Sequence, residues 1–221
     1  MKHQNYVFLL FILICFSCQG EKKEQNTTDS STEEITSAEA TESESSSTTS
    51  MFSSESEYFP IKEGNSWTHA TTKSEYAEAK EYTTKVLDEG YTKNGKDYLT
   101  IKQTYKDGTE LSTTYARTDD EGNIYSISPY IEKGEKEFLA LPADIDMGKT
   151  WTVFEGMNYK VTSMDATVET PTKKYTDCLL IETVDEDGKT TMKNYYLKGI
   201  GSVAVSMDGK LNIYLKEYDV D

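Results

Sequence analysis

The chain has 221 residues, 36% of them hydrophobic and 28% charged, with a net charge of −16. That length suits one domain or two, and the acidity excludes nucleic acid and anionic headgroups as partners, because their phosphates would be repelled. Of the three cysteines, Cys15 and Cys18 lie near the amino terminus, so Cys178 has no partner for an internal disulfide.

Residues 1–17 open with Lys2 and His3 and continue into an apolar run from Val7 to Phe16. The run is too short to span a bilayer and follows a basic start, so it reads as a secretory signal. It ends Cys15-Phe16-Ser17-Cys18. With a small serine before the last cysteine, this ending resembles a bacterial lipobox, although Cys15 stands where the pattern prefers Leu. The resemblance implies cleavage before Cys18, then acylation (palmitate or a similar chain) of its thiol and new amino group. Stable anchoring needs more than one acyl chain, and this modification supplies three. Cys18 is therefore the expected lipidation site. The Cys15–Cys18 spacing is not read as a redox or metal pair, since it closes a hydrophobic leader and lacks further ligands.

Residues 18–57 form an expected disordered tether. From Asn26 to Glu57 more than half of the positions are Ser or Thr, and most of the rest are Glu and Ala. Such a segment cannot bury enough apolar surface to offset the entropy of ordering. Ten acids against Lys22 and Lys23 give residues 21–57 a charge of −8, which extends the tether; Lys2 aside, −9 remains for residues 58–221. Near the anchor, Glu21-Lys22-Lys23-Glu24 resembles the charged export tags of some surface lipoproteins, which points to the outer membrane.

From residue 58 the pattern is alternation interrupted by turns, the mark of short antiparallel strands. Sixteen tyrosines against seven phenylalanines suit half-buried pleated surfaces. In the first half, strands are expected over 67–73, 81–87, 98–105, 110–117, 124–127 and 136–141. In the second they are expected over 151–154, 158–168, 176–184, 190–197, 202–206 and 211–218. Asn94-Gly95 and Asp107-Gly108 are tight-turn dipeptides, and no window carries a helical stripe. The expected fold is all-β, a curved antiparallel sheet or open barrel of about ten strands.

The pentapeptide Gly64-Asn65-Ser66-Trp67-Thr68 recurs as Gly148-Lys149-Thr150-Trp151-Thr152, and the two copies hold both tryptophans. Downstream, a shared offset of 80 relates Asp97-Tyr-Leu-Thr-Ile101 to Asp177-Cys-Leu-Leu-Ile181, Asp107-Gly108 to Asp187-Gly188, and Tyr115 to Tyr195. The chain thus reads as two tandem related halves, about 58–141 and 142–221, sharing one core because either alone would make a thin one. An offset of 79 matches Ile101 with Leu180 as attractively as 80 matches it with Ile181, and a one-residue slip reverses every side chain.

No catalytic constellation stands out. His69 lies in the first strand with no serine or cysteine elbow beside it, and one histidine and one free thiol cannot make a zinc site. The acidic stretches 119–123, 144–146 and 185–188 invite a calcium reading, but their glycines fall where hairpin turns need them and not where a helix–loop–helix site does. Gly199 and Gly201 break the strand pattern and mark a sheet corner or a ligand-lined bend.

Three stretches, Tyr58-Phe-Pro-Ile-Lys-Glu-Gly-Asn-Ser-Trp67, Tyr175-Thr-Asp-Cys-Leu-Leu-Ile181 and Tyr195-Tyr-Leu-Lys-Gly-Ile-Gly-Ser-Val203, resemble a set of uncharacterised bacterial lipoproteins. Lys198 is a mild departure from their pattern. The resemblance implies a curved antiparallel sheet and brings no activity, cofactor or catalytic residue with it. The expectation is a membrane-anchored, non-enzymatic protein of the cell envelope that binds a protein or envelope component. Two alternatives are a carrier holding a lipid or other apolar ligand in a half-open barrel, and an enzyme using converging acids in a cleft. A roomy apolar concavity would favour the carrier, and an interior filled by Trp67 and Trp151 would oppose it.

Overall fold

The computed structural model describes residues 56–73, 78–129, 136–154 and 157–221; the signal segment, Cys18 and nearly all of the tether lie outside them. The described residues are all-β without a helix. In chain order the first six strands are β1 (Ser66–Thr71), β2 (Glu81–Lys93), β3 (Lys96–Tyr105), β4 (Glu110–Thr118), β5 (Ile124–Ile127) and β6 (Phe138–Leu141). The other six are β7 (Thr150–Phe154), β8 (Met157–Glu169), β9 (Lys174–Asp185), β10 (Thr190–Leu197), β11 (Gly201–Met207) and β12 (Lys210–Asp219). Each of the twelve expected ranges holds a strand, so the sheet is larger than the about ten strands expected of it.

All twelve belong to one antiparallel sheet of order β6-β5-β4-β3-β2-β1-β12-β11-β10-β9-β8-β7. Consecutive strands pair except β6 and β7, and β1 closes on β12 through six residue pairs from Ser66↔Asp219 to Thr71↔Ile213. The sheet therefore wraps into a nearly closed barrel with one open seam, between β6 and β7. Both seam strands are short, four and five residues, which limits the unpaired edge they present.

Turn chemistry sets the hairpins. Asn94-Gly95 and Asp208-Gly209 have positive φ at both positions (53° and 73°, 50° and 73°), the backbone that two-residue hairpin turns require. The β3–β4 and β9–β10 turns share a different form. In one, Gly108 donates to Tyr105 O and Tyr105 to Thr109 O; in the other, Gly188 donates to Asp185 O and Asp185 to Lys189 O.

The halves match ladder by ladder. Val86 pairs with Ile101 and Ile101 with Thr114; Val161 pairs with Ile181 and Ile181 with Asn194. Ile101 thus corresponds to Ile181, and the competing match to Leu180 is not the structural one. At the strand starts, Ser66↔Lys85 and Trp67↔Thr84 mirror Thr150↔Lys160 and Trp151↔Tyr159.

Inside the barrel one large apolar cluster holds Trp67, Val86, Ile101, Trp151, Val161 and Ile181, and a smaller one holds Tyr82, Leu111, Met192, Val205 and Ile213. Each buried side chain of this size stabilises by roughly 1.5–3 kcal/mol. A polar layer also lies inside: Ser112 Oγ donates to Gln103 Oε1 (2.8 Å) and Gln103 Nε2 donates to Thr84 Oγ1 (3.1 Å). Pairing these groups with each other removes the cost of burying them alone.

One departure from symmetry concerns the β8–β9 hairpin. Asp177 adopts φ 58°, and the register shifts between Ser163 and Ala166 and again between Ala166 and Val168. These irregularities bend the hairpin, and its turn residue Thr172 donates to Leu215 O at 3.1 Å. Val168, Tyr175 and Cys178 join the large cluster.

Candidate functional site

The densest arrangement of chemistry lies on the outer face of the first half. Along β3, Leu99 and Ile101 pack into the barrel, so Tyr98, just before Leu99, points outward. A bulge in β2 sets its neighbour: the ladder runs Leu87↔Thr100 and then Gly90↔Leu99, looping out Asp88 and Glu89. Thr100 Oγ1 satisfies the bulge by donating to Glu89 O (2.6 Å). The loop-out brings Tyr91 opposite Tyr98, where Glu89 would otherwise stand. Tyr115 on β4 stacks on Tyr91, with centroids 3.9 Å apart and planes 18° apart. Arg117, further along β4, pairs with Tyr125 of β5, and its guanidinium sits 4.5 Å from that ring's centre.

Glu137, just before β6, ties these groups together. Its Oε1 accepts from Arg117 Nε (2.5 Å) and from Tyr98 OH (2.9 Å), and its Oε2 accepts from Lys96 Nζ (2.7 Å). Arg117 and Glu137 side chains are recessed, 13% and 19% exposed, whereas Lys96 is 47% exposed. Burial opposes the charge on Glu137, but the bonds from Arg117, Lys96 and Tyr98 outweigh it and hold the carboxyl below its usual range. Burial is also the main cause of the raised Tyr98 hydroxyl, with the bond to Glu137 adding to it. The result is a fixed carboxylate–guanidinium pair flanked by tyrosine rings, with acceptors and donors side by side.

The residues singled out from sequence lie elsewhere. His69 is buried; burial drives its pKa down to about 4, partly offset by the contact of Nε2 with Ser202 O at 3.0 Å. Its neighbour is a main-chain oxygen, and its ring stacks on Tyr82. Cys178 is fully buried, and burial followed by the Asp177 charge pushes its thiol up to about 11. Neither is placed as a nucleophile or its base.

Gly199 and Gly201 form a corner. Trp67 Nε1 donates to Ile200 O (2.5 Å) and Gly199 N donates to Glu57 O (2.6 Å). A Cβ on Gly201 would lie 3.4 Å from Trp67 Nε1. Beside this corner Trp67, His69, Thr84 and Ser202 help line a cavity of about 20 Å³, counted as space open to the centre of a water molecule. That is about the room one water needs, and far less than an acyl chain needs. Trp67 and Trp151 both sit in the large apolar cluster.

The acidic turns are closed on themselves. Asp119 accepts from Glu121 N, Asn123 N and Asn123 Nδ2; Asp185 accepts from Lys189 N; Asp144 pairs with Lys149 at 2.6 Å. Among the described residues no three acids, histidines or cysteines cluster as a metal site would require. Cys18 lies outside the described residues.

The outer cluster was not found from sequence. Its signal was faint: tyrosines alternating with charge in β3 and β4, and a single glutamate, Glu137, well downstream of Arg117. Nothing in that spacing shows that β3, β4, β5 and the start of β6 converge.

No protein-family model matches the chain, and no curated protein matches its sequence. Solved structures resemble it. A Bacteroides fragilis protein, assigned as exported and as having a YmcC-like fold, shares 14% identity at a TM-score of 0.42, covering 74% of this chain and 99% of its own. A Parabacteroides distasonis protein, assigned as a lipoprotein, shares 13% identity at a TM-score of 0.42 with the same coverage.

Proposed function

We propose that this chain is a lipid-anchored protein of the cell envelope whose barrel is a non-catalytic binding module. The observation that carries the binding reading is the outer cluster itself, a recessed Arg117–Glu137 pair set among Tyr91, Tyr98, Tyr115 and Tyr125. Tyrosine and arginine concentrate at binding surfaces because each offers a large flat face with a polar end. The interior, by contrast, is packed. The partner is therefore met on the outside of the first half.

The anchor reading rests on the leader and on Cys18, whose acyl chains would hold the protein to the outer membrane while the acidic tether extends the barrel away from it. In this reading the two six-strand halves descend from one unit by duplication, supported by their shared ladders. The outer cluster was acquired by one of them. Replacing Cys18 with Ala should move the protein from the membrane to the soluble fraction; retention in the membrane pellet would refute lipidation as the attachment. For the binding face, a photo-crosslinking residue at Tyr125 in growing cells should capture a partner that the same residue at Lys210, outside the cluster, does not.

A further inference from the structure

We infer that the outer cluster of the first half binds a neutral saccharide, which rests on the binding reading above and names its ligand class. Three features of the cluster converge on this chemistry. The first is aromatic surface: Tyr91 and Tyr115 are stacked as a pair, and each residue is only partly buried. A pyranose presents a face of C–H groups that packs on such rings, burying apolar area while its hydroxyls stay outward.

The second is a mixed set of donors and acceptors held rigidly beside that surface. Sugar hydroxyls both donate and accept, so they need a carboxylate and a cation together. Glu137 and Lys96 supply this: after the bonds they make in the cluster, the ammonium keeps N–H donors and the carboxylate keeps a lone pair on Oε2. Arg117 is pinned by Glu137 and by the Tyr125 ring, so little ordering entropy is lost on binding.

The third is what the surface excludes. Among the described residues the exposed large hydrophobics are Met147 and Tyr218, and neither lies in the cluster. A protein partner needs a desolvated apolar centre in a patch of about 800 Å², and the cluster offers a small recessed polar one. An acidic ligand would meet the −9 of residues 58–221 and the Glu137 carboxylate itself.

The second half of the barrel folds without the guanidinium. With Ile101 matched to Ile181 and Thr114 to Asn194, Leu197 follows Asn194 on β10 as Arg117 follows Thr114 on β4. One copy of the scaffold has an apolar side chain where the other keeps the guanidinium of the recessed pair. A recessed pair is costly to desolvate and adds little to stability by itself.

The test uses the full chain purified with its anchor in detergent. Native gels containing dextran, laminarin, mannan, xylan or polygalacturonate measure retardation, and titration calorimetry with the retarding polysaccharide gives its affinity. At least one of the four neutral polysaccharides should retard the protein. Tyr115→Ala and Lys96→Met should each weaken that binding roughly tenfold or more, the loss of one good contact, with unchanged near-ultraviolet circular dichroism. Tyr195→Ala, the matched position in the second half, should leave it intact. Retardation by none of the five overturns the inference. So does equal weakening by Tyr115→Ala and Tyr195→Ala, or binding to polygalacturonate alone that vanishes at 0.5 M salt (roughly a 4 Å screening length), which would be simple ion exchange. Capture of a protein by the crosslinker at Tyr125 with no retardation would leave the binding reading standing and sink the saccharide.

Discussion

Val86 and Val161 make the same two main-chain bonds in the two halves of the barrel. Val86 N donates to Asn65 O and Val161 N to Lys149 O, both at 2.9 Å; Val86 O accepts from Gly64 N and Val161 O from Gly148 N, at 3.1 and 3.0 Å. Each valine thus clamps the turn just before a tryptophan. Gly64 and Gly148, at φ 92° and 83°, make that turn possible. The repeated pentapeptide is a strand-starting device, and the valine, from the next strand, completes it.

Because β1 pairs with both β2 and β12, the halves share one sheet and one core. Trp151→Ala should therefore cost about 3–5 kcal/mol and lower a single cooperative transition for the whole barrel. Calorimetry checks this; two separate transitions would mean that the halves fold independently.

His69 makes stability depend on pH. Its pKa is about 4 in the folded barrel against an ordinary 6.5, so on acidification the unfolded chain takes up the proton first. Stability is complete above pH 6.5 and falls progressively toward pH 4, by roughly 3 kcal/mol. Glu137 and the other carboxylates with lowered values lose their contribution only below 4.5. Urea midpoints at pH 7.5, 5.5 and 4.8 should drop for the parent and stay nearly flat for His69→Gln in this window. An equal slope in both proteins would assign the effect elsewhere.

Gly201 combines a φ of 101° with a Cβ position 3.4 Å from Trp67 Nε1 and 3.6 Å from Pro60 Cδ. Gly201→Ala should cost about 1–3 kcal/mol through the backbone alone, and more if Trp67 gives up its bond to Ile200 O. Thermal denaturation measures the loss. Gly90→Ala, with φ negative and nothing within 4 Å of its Cβ, is the control and should change stability by less than about 1 kcal/mol.

Cys178 should behave as a buried apolar group. In a chain carrying Cys15→Ser and Cys18→Ser it is the one thiol left, and burial keeps it protonated. Ellman's reagent should label it only across the unfolding transition in urea. Labelling within minutes in native buffer would show that the bent β8–β9 hairpin opens locally.

The strands were legible because period-two alternation is a local property, and the Asn-Gly and Asp-Gly turns carry their own backbone requirement. Trp67 and Trp151 were legible as equivalents because a repeated pentapeptide needs no knowledge of contacts. The match of Ile101 to Ile181 was not, since Leu180 offers an equally plausible buried side chain and only the ladder partners Val86 and Val161 decide between them. Glu137 was least legible of all. Its partners Lys96, Tyr98 and Arg117 are remote from it in sequence, and their meeting depends on the β2 bulge, the strand order and the closure of β5 on β6.

By itself the sequence determined the class of the fold, the places of its turns and the repeated tryptophan motif. All of these follow from chemistry within a few residues: alternation, turn propensity, composition and charge. Only the tertiary structure decided that twelve strands close into one packed barrel and that His69 and Cys178 are interior groups. It alone decided that the chemistry gathers outside the first half, around Arg117 and Glu137. Those outcomes depend on register and curvature, which are set by long-range pairing of β1 with β12 and by irregularities at Asp88–Glu89 and Asp177 whose effect is geometric.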